Sequence, residues 1–141
     1  MSDNTRFNLS FRVNHPTISA SEIVKTLAMP TTKLFESVGE PRISPGGEIR
    51  GGTYQKTNVG FELHEHALRC DEVDIEGMII EELGKIDLQI TAHLAATGGR
   101  CAFILGIFTD QYVGLELGRA LNDLLSASKI EIWFYIYGGK D

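Results

Sequence analysis

The stretch CAFILGIFT, residues 101–109, is apolar at nearly every position. Such a pattern predicts a strand covered on both faces and places it centrally in a sheet. The neighbouring elements can be read outward from it. Downstream, Leu117, Leu121, Leu124 and Leu125 in LELGRALNDLLSAS (115–128) fall on one side of a helix. KIEIWFYIY (129–137) then sets Ile130, Ile132, Phe134 and Ile136 on one strand face and Glu131, Trp133, Tyr135 and Tyr137 on the other.

Upstream, Asp74 opens DIEGMIIEELGKIDLQITAHLAA (74–96), where Ile75, Met78, Ile79, Leu83 and Ile86 recur at helical spacing. Acids in its first turns suit the helix dipole, and Gly84 marks a break. RFNLSFRVN (6–14) alternates Phe7, Leu9, Phe11 and Val13 with polar residues, which predicts a first strand buried on one face. Ser19 and Glu22 have capping-box spacing ahead of Ile23, Val24 and Leu27, so a short helix follows and stops by Pro30. From Pro30 to Gly52 three prolines and five glycines predict a long surface excursion. GTYQK (52–56) and GFELHE (60–65) read as two arms of a hairpin turning at TNVG (57–60).

The chain therefore reads as one domain over residues 1–141, with residues 30–52 as the excursion, in the order β-α-β(β)-α-β-α-β. Phe7-x-Leu9-x-Phe11 before Glu22-Ile23 is echoed by Phe103-x-Leu105-x-Ile107 before Glu116-Leu117. The order and the echo predict a ferredoxin-like α+β sandwich, a mainly antiparallel sheet with helices on one face. In that layout the last strand lies beside the first, and Arg6, Arg12, Trp133 and Tyr135 share the face away from the helices.

Composition narrows the function classes. Nineteen acidic against thirteen basic residues give a net charge of -6, which argues against nucleic acid and anionic membrane as partners. No apolar run approaches the roughly twenty residues of a spanning helix. Nothing resembling a secretory signal precedes residue 6, and the two cysteines, Cys70 and Cys101, lie far apart. A soluble, cytoplasmic protein is expected.

Several stretches together resemble a bacterial family known as domain of unknown function 4279. They are FRV (11–13), LAMPTTKLFESVGEPR (27–42) with its Pro-Thr and Gly-Glu pairs, GFELHE, DIEGMIIEEL (74–83) and the tail 115–137. The resemblance implies a small cytoplasmic bacterial domain with no established catalytic set, some relatives acting as immunity-type or accessory binding proteins. Phe61 stands where that family usually has Trp, Met78 where His is common, and Tyr135 where an acid is usual. No functional residue is carried over from those positions.

The candidate chemistry is sparse. His64 and His66 in GFELHEHALRC (60–70) point the same way on a strand and could share one divalent ion, but no third ligand is spaced to join them. A solvated strand end is the plainer reading. Cys101 reads as a small buried hydrophobe and Cys70 as a loop thiol near His66. SPGGEIRGG (44–52) lacks the lysine-serine pair of a phosphate loop. The strongest lead is the stripe Trp133, Tyr135, Tyr137, with Arg12 placed to supply a cation-π contact or an anion clamp.

No cofactor is expected. The sequence thus predicts a non-enzymatic binding or interaction module, expected to be a homodimer, that could also take a protein partner. An immunity-type protein that inhibits a toxin enzyme is one alternative, and a metal-assisted enzyme around His64 and His66 is another.

Overall fold

The computed structural model describes residues 5–64, 68–69 and 74–138. Strand β1 (Arg6–His15) carries the period-two pattern to its end: Phe7, Leu9, Phe11, Val13 and His15 are buried and the residues between them half-buried. Helix α1 (Ala20–Leu27) starts where Ser19 Oγ accepts the Glu22 N–H at 3.2 Å, and it ends in a left-handed Ala28. Two further helices, α2 (Ile75–Leu83) and α3 (Leu88–Ala96), are separated near Gly84. Their caps are the carboxylates of Asp74 and Asp87, each satisfying an orphan N–H of the first turn.

Residues 30–52 are not structureless. They contain β2 (Thr32–Glu36), which joins the main sheet, then β3 (Pro41–Ile43), and they run into β4 (Ile49–Thr53). Strands β3 and β4 pair with each other as an exposed two-stranded ribbon. The chain turns between them at Gly47, and Gly51 and Gly52 lie within β4, all three at positive φ. No hairpin turns at TNVG, because those residues open β5 (Thr57–Glu62), whose partners are β2 and β1. The expectation failed because β4 already has its partner in β3.

The short strand β6 (Leu68–Arg69) continues alongside β1. Strand β7 (Arg100–Thr109), helix α4 (Arg119–Ser128) and β8 (Ile130–Gly138) complete the chain. Helix α4 is capped from outside: Gly118 offers no side chain, and its N–H donates to the Glu76 carboxylate of α2. Leu121 and Leu125 are buried as expected, whereas Leu124 is exposed.

The main sheet runs β2-β5-β1-β7-β8, with β6 off this path. Neighbours are antiparallel except β7 and β8, which are parallel, so the architecture is α+β with a mixed sheet. The last strand therefore lies beside β7 and not beside β1. The physical reason is the connection, since a helix that recrosses the sheet returns the chain to the same end, and its strand must run parallel. The outer edge of β1 is already taken by β5 and β6.

One face of the sheet forms the core. Phe7, Leu9, Phe11 and Val13 of β1, Val59 and Phe61 of β5, and Cys101, Phe103, Leu105 and Ile107 of β7 meet apolar residues of all four helices there. Phe11 and Phe103 are direct cross-strand partners and pack edge to face at 5.1 Å. Such a pair adds about 0.5–1.5 kcal/mol beyond its buried area. The opposite face carries no helix among the described residues. None of those residues forms a helix long and apolar enough to cross a membrane.

Candidate functional site

The open face has two separate regions. The first is built on β8, whose register with β7 runs unbroken from Ile130 to Gly138. Trp133, Tyr135 and Tyr137 stand beside Ile104, Gly106 and Phe108 on that face, and Tyr137 stacks on Phe108 at 4.7 Å. The stripe is real, and Tyr135 and Tyr137 are 40% and 52% exposed.

Only the first residues of the opposite face of β8 reach the core. Ile130 is buried and Ile132 packs against the cluster, but Phe134 and Ile136 are 43% and 67% exposed. They border an open groove of about 400 Å³ shared with Ile107, Tyr112, Val113 and Leu115. Both faces of the strand's second half are thus apolar and solvated, at a sheet edge.

The cation over Trp133 is Arg100, 5.1 Å from the ring, and not Arg12. The register explains the correction. Arg12 pairs with Ala102, which pairs with Glu131, so all of β7 separates Arg12 from β8 by two strand spacings, about 10 Å. Arg100 also makes two hydrogen bonds to Glu131, whose Oε1 accepts the Trp133 indole N–H at 3.0 Å.

Arg12 belongs to the second region, a cavity of about 280 Å³ between β1, β2 and β5. Asn8, Ser10, Arg12, Lys33, Leu34, Gly60, Glu62 and His64 line it. Gly60, the cross-strand partner of Arg12, lies in its floor and has no side chain. A Cβ there would stand 3.1 Å from Leu34 Cβ and 3.4 Å from Arg12 Nε. Lys33 and Glu62 are 3.5 Å apart and offset each other. Arg12 Nε and His64 Nε2 are both shielded from solvent without a hydrogen-bond partner among the described residues. A buried polar atom left this way costs about 1–3 kcal/mol.

The remaining candidates divide. His64 sits beside Arg12, while His66 and Cys70 lie outside the described residues. Among the described residues no group of three His, Cys, Asp or Glu side chains could hold a metal ion. Cys101 is buried in the core, and burial above all, with Glu131 adding to it, pushes its thiol up to about 12. A thiol so reluctant to ionise is not a nucleophile.

The buried histidine was missed from sequence. His15 lies fully inside, where Nδ1 accepts the N–H groups of Thr17 and Ile18 at 3.1 and 3.0 Å. Its ring proton therefore sits on Nε2, facing Thr97 Oγ1 at 2.7 Å. The signal was present, since His15 is the next inward position after Val13 in the period-two series. The chain matches no protein-family model, no curated protein and no solved structure.

Proposed function

We propose that the chain is a non-enzymatic interaction module of the domain of unknown function 4279 type, which pairs with a second copy of itself through β8. The observation that carries this reading is the contrast between the two edges of the sheet. Strand β2 is a protected edge: it is five residues long, carries Lys33 and Glu36, and has a register shift between Thr32 and Leu34. Strand β8 has none of these devices. It is nine residues long, regular throughout, and without charge or proline from Ile132 to Gly138. Exposed edges of that kind pair with another strand unless something prevents it.

A two-fold axis across β8 would set each strand antiparallel to its copy, with apolar and aromatic residues opposite one another and no like charges facing. A stable dimer needs about 800 Å² per partner, more than main-chain pairing of one strand about 30 Å long covers. Phe134 and Ile136 on one face, and Tyr135 and Tyr137 on the other, supply the additional apolar area. The alternation of β1, α1, β2 and β5 with β7 beyond them also supports a ferredoxin-like unit, to which α4 and β8 are added.

Native mass measurement of wild type against Ile136→Lys tests the reading. A wild-type dimer that becomes a folded monomer in the variant is the expected outcome. A wild-type monomer sinks it. Recovery of the chain with one copy of a basic toxin enzyme would instead favour the immunity-type alternative, to which the charge of -6 is suited.

A further inference from the structure

The cavity under Arg12 lies on the other half of the sheet from β8, so its occupant is a separate matter from dimerisation. We propose that it binds a small organic carboxylate, held by the guanidinium of Arg12 in the wall that Arg12 shares with His64. Arg12 Nε and His64 Nε2 are buried and unpartnered among the described residues, and both residues line the same space.

Charge selects the class of ligand. Arg12 has no ion-pair partner among the described residues, while Lys33 is engaged by Glu62. The lining therefore has one uncompensated positive charge, which suits a monoanion. A metal cation would be repelled by Arg12 and Lys33, and a phosphate dianion would meet Glu62 with more charge than the site offsets. Geometry narrows it again, since the planar fork of a guanidinium matches the two oxygens of a carboxylate through parallel N–H bonds. Ser10 and Asn8 provide further polar groups, and Leu34 gives the walls an apolar side.

Size sets the limit. About 280 Å³ is at the lower edge of ordinary ligand pockets, so the acid must be small. The bare α-carbon of Gly60, directly across the strand pair from Arg12, lets Arg12 Nε and Leu34 lie close over it, so a side chain there would displace the guanidinium.

The test follows the Arg12 Nε–H signal of the full chain by proton-nitrogen NMR during titration with sodium acetate, and then sodium benzoate, at constant ionic strength. A saturable shift of that signal and of the Gly60 amide is expected, at least tenfold weaker in Gly60→Ala. In Arg12→Gln, where the Arg12 signal is lost, the Gly60 amide reports the same weakening. A shift reproduced by sodium chloride, one that grows without saturating, or one unchanged in the Gly60 amide of Arg12→Gln overturns the proposal. Inorganic phosphate binding more tightly than acetate overturns the assignment to carboxylates. Each outcome is read from wild type first, so a variant that folds poorly does not protect the idea.

Discussion

Arg100 and Glu131 close the head of the parallel β7–β8 pair with two hydrogen bonds, Nε to Oε2 at 3.0 Å and Nη2 to Oε1 at 2.6 Å. The same carboxylate takes the Trp133 indole N–H, and the guanidinium covers the Trp133 ring. Three side chains on adjacent strands thereby fix the first residue of the aromatic stripe in one orientation, while Tyr135 and Tyr137 beyond it remain exposed.

Glu131→Gln should change the fluorescence of Trp133, the one tryptophan of the chain, while stability falls by less than about 1 kcal/mol. The small cost follows from exposure, because both charges of the pair are largely solvated. In wild type the Glu131 carboxyl is held below its usual range, chiefly by the Arg100 hydrogen bonds, against the opposing effect of burial and with help from Trp133. Because the folded value is the lower one, this stabilisation is complete above about pH 4.3 and is lost as pH falls through the folded value. A fluorescence titration with its midpoint at or above pH 4.3 would contradict this, as would an unchanged spectrum in the variant.

Much of the fold was legible because it depends on local pattern. The alternation of Phe7 to Val13, the caps at Ser19 and Asp74 and the break at Gly84 are all set by residues within a turn or two of one another. The place of β8 was not legible, since Ile130 to Tyr137 alternate in the same way whether their neighbour runs parallel or antiparallel. What decided it was which edge of the sheet remained unoccupied once β5 and β6 had paired with β1. The partner of Trp133 was missed for a related reason. Arg12 and Trp133 share a face, but register puts β7 between them and brings Arg100 alongside instead. The cavity depends on Gly60 meeting Arg12 across an antiparallel pair, and its one sequence signal was a glycine inside a strand.

His15 predicts a second pH dependence, in a higher range. Burial lowers its pKa, and the nearby His93 lowers it further. The unfolded chain therefore binds this proton more readily than the folded one, and stability declines as pH falls through about 6.5, levelling off below the folded value. Denaturant unfolding of wild type and His15→Gln, compared between about pH 7 and about pH 5, isolates the effect from the other histidines. The variant should be less stable by about 1–3 kcal/mol at neutral pH, because buried partners lose their bonds, and its slope over this range should be shallower. An identical slope in the two proteins would remove His15 as the cause.

Gly99 and Gly106 each leave no room for a Cβ, yet the expected costs of adding one differ. At Gly99 the new atom would stand 2.7 Å from His15 Cδ2 and 2.8 Å from the backbone oxygens of Asn14 and Leu94. None of these can yield: the ring is fixed by its hydrogen bonds, and the carbonyls belong to β1 and α3. At Gly106 the obstacle is Asn8 Oδ1, the end of a half-buried side chain on the open sheet face, which can rotate away. Gly99→Ala should therefore destabilise by about 2–3 kcal/mol through overpacking, and Gly106→Ala by less than about 1 kcal/mol. For a chain of this size, thermal denaturation should separate the two by roughly 3–8 °C. Equal losses would mean either that the Asn8 side chain is locked or that β1 can shift to admit the methyl at Gly99, and backbone chemical shifts along Asn14 to Thr17 in Gly99→Ala would tell which.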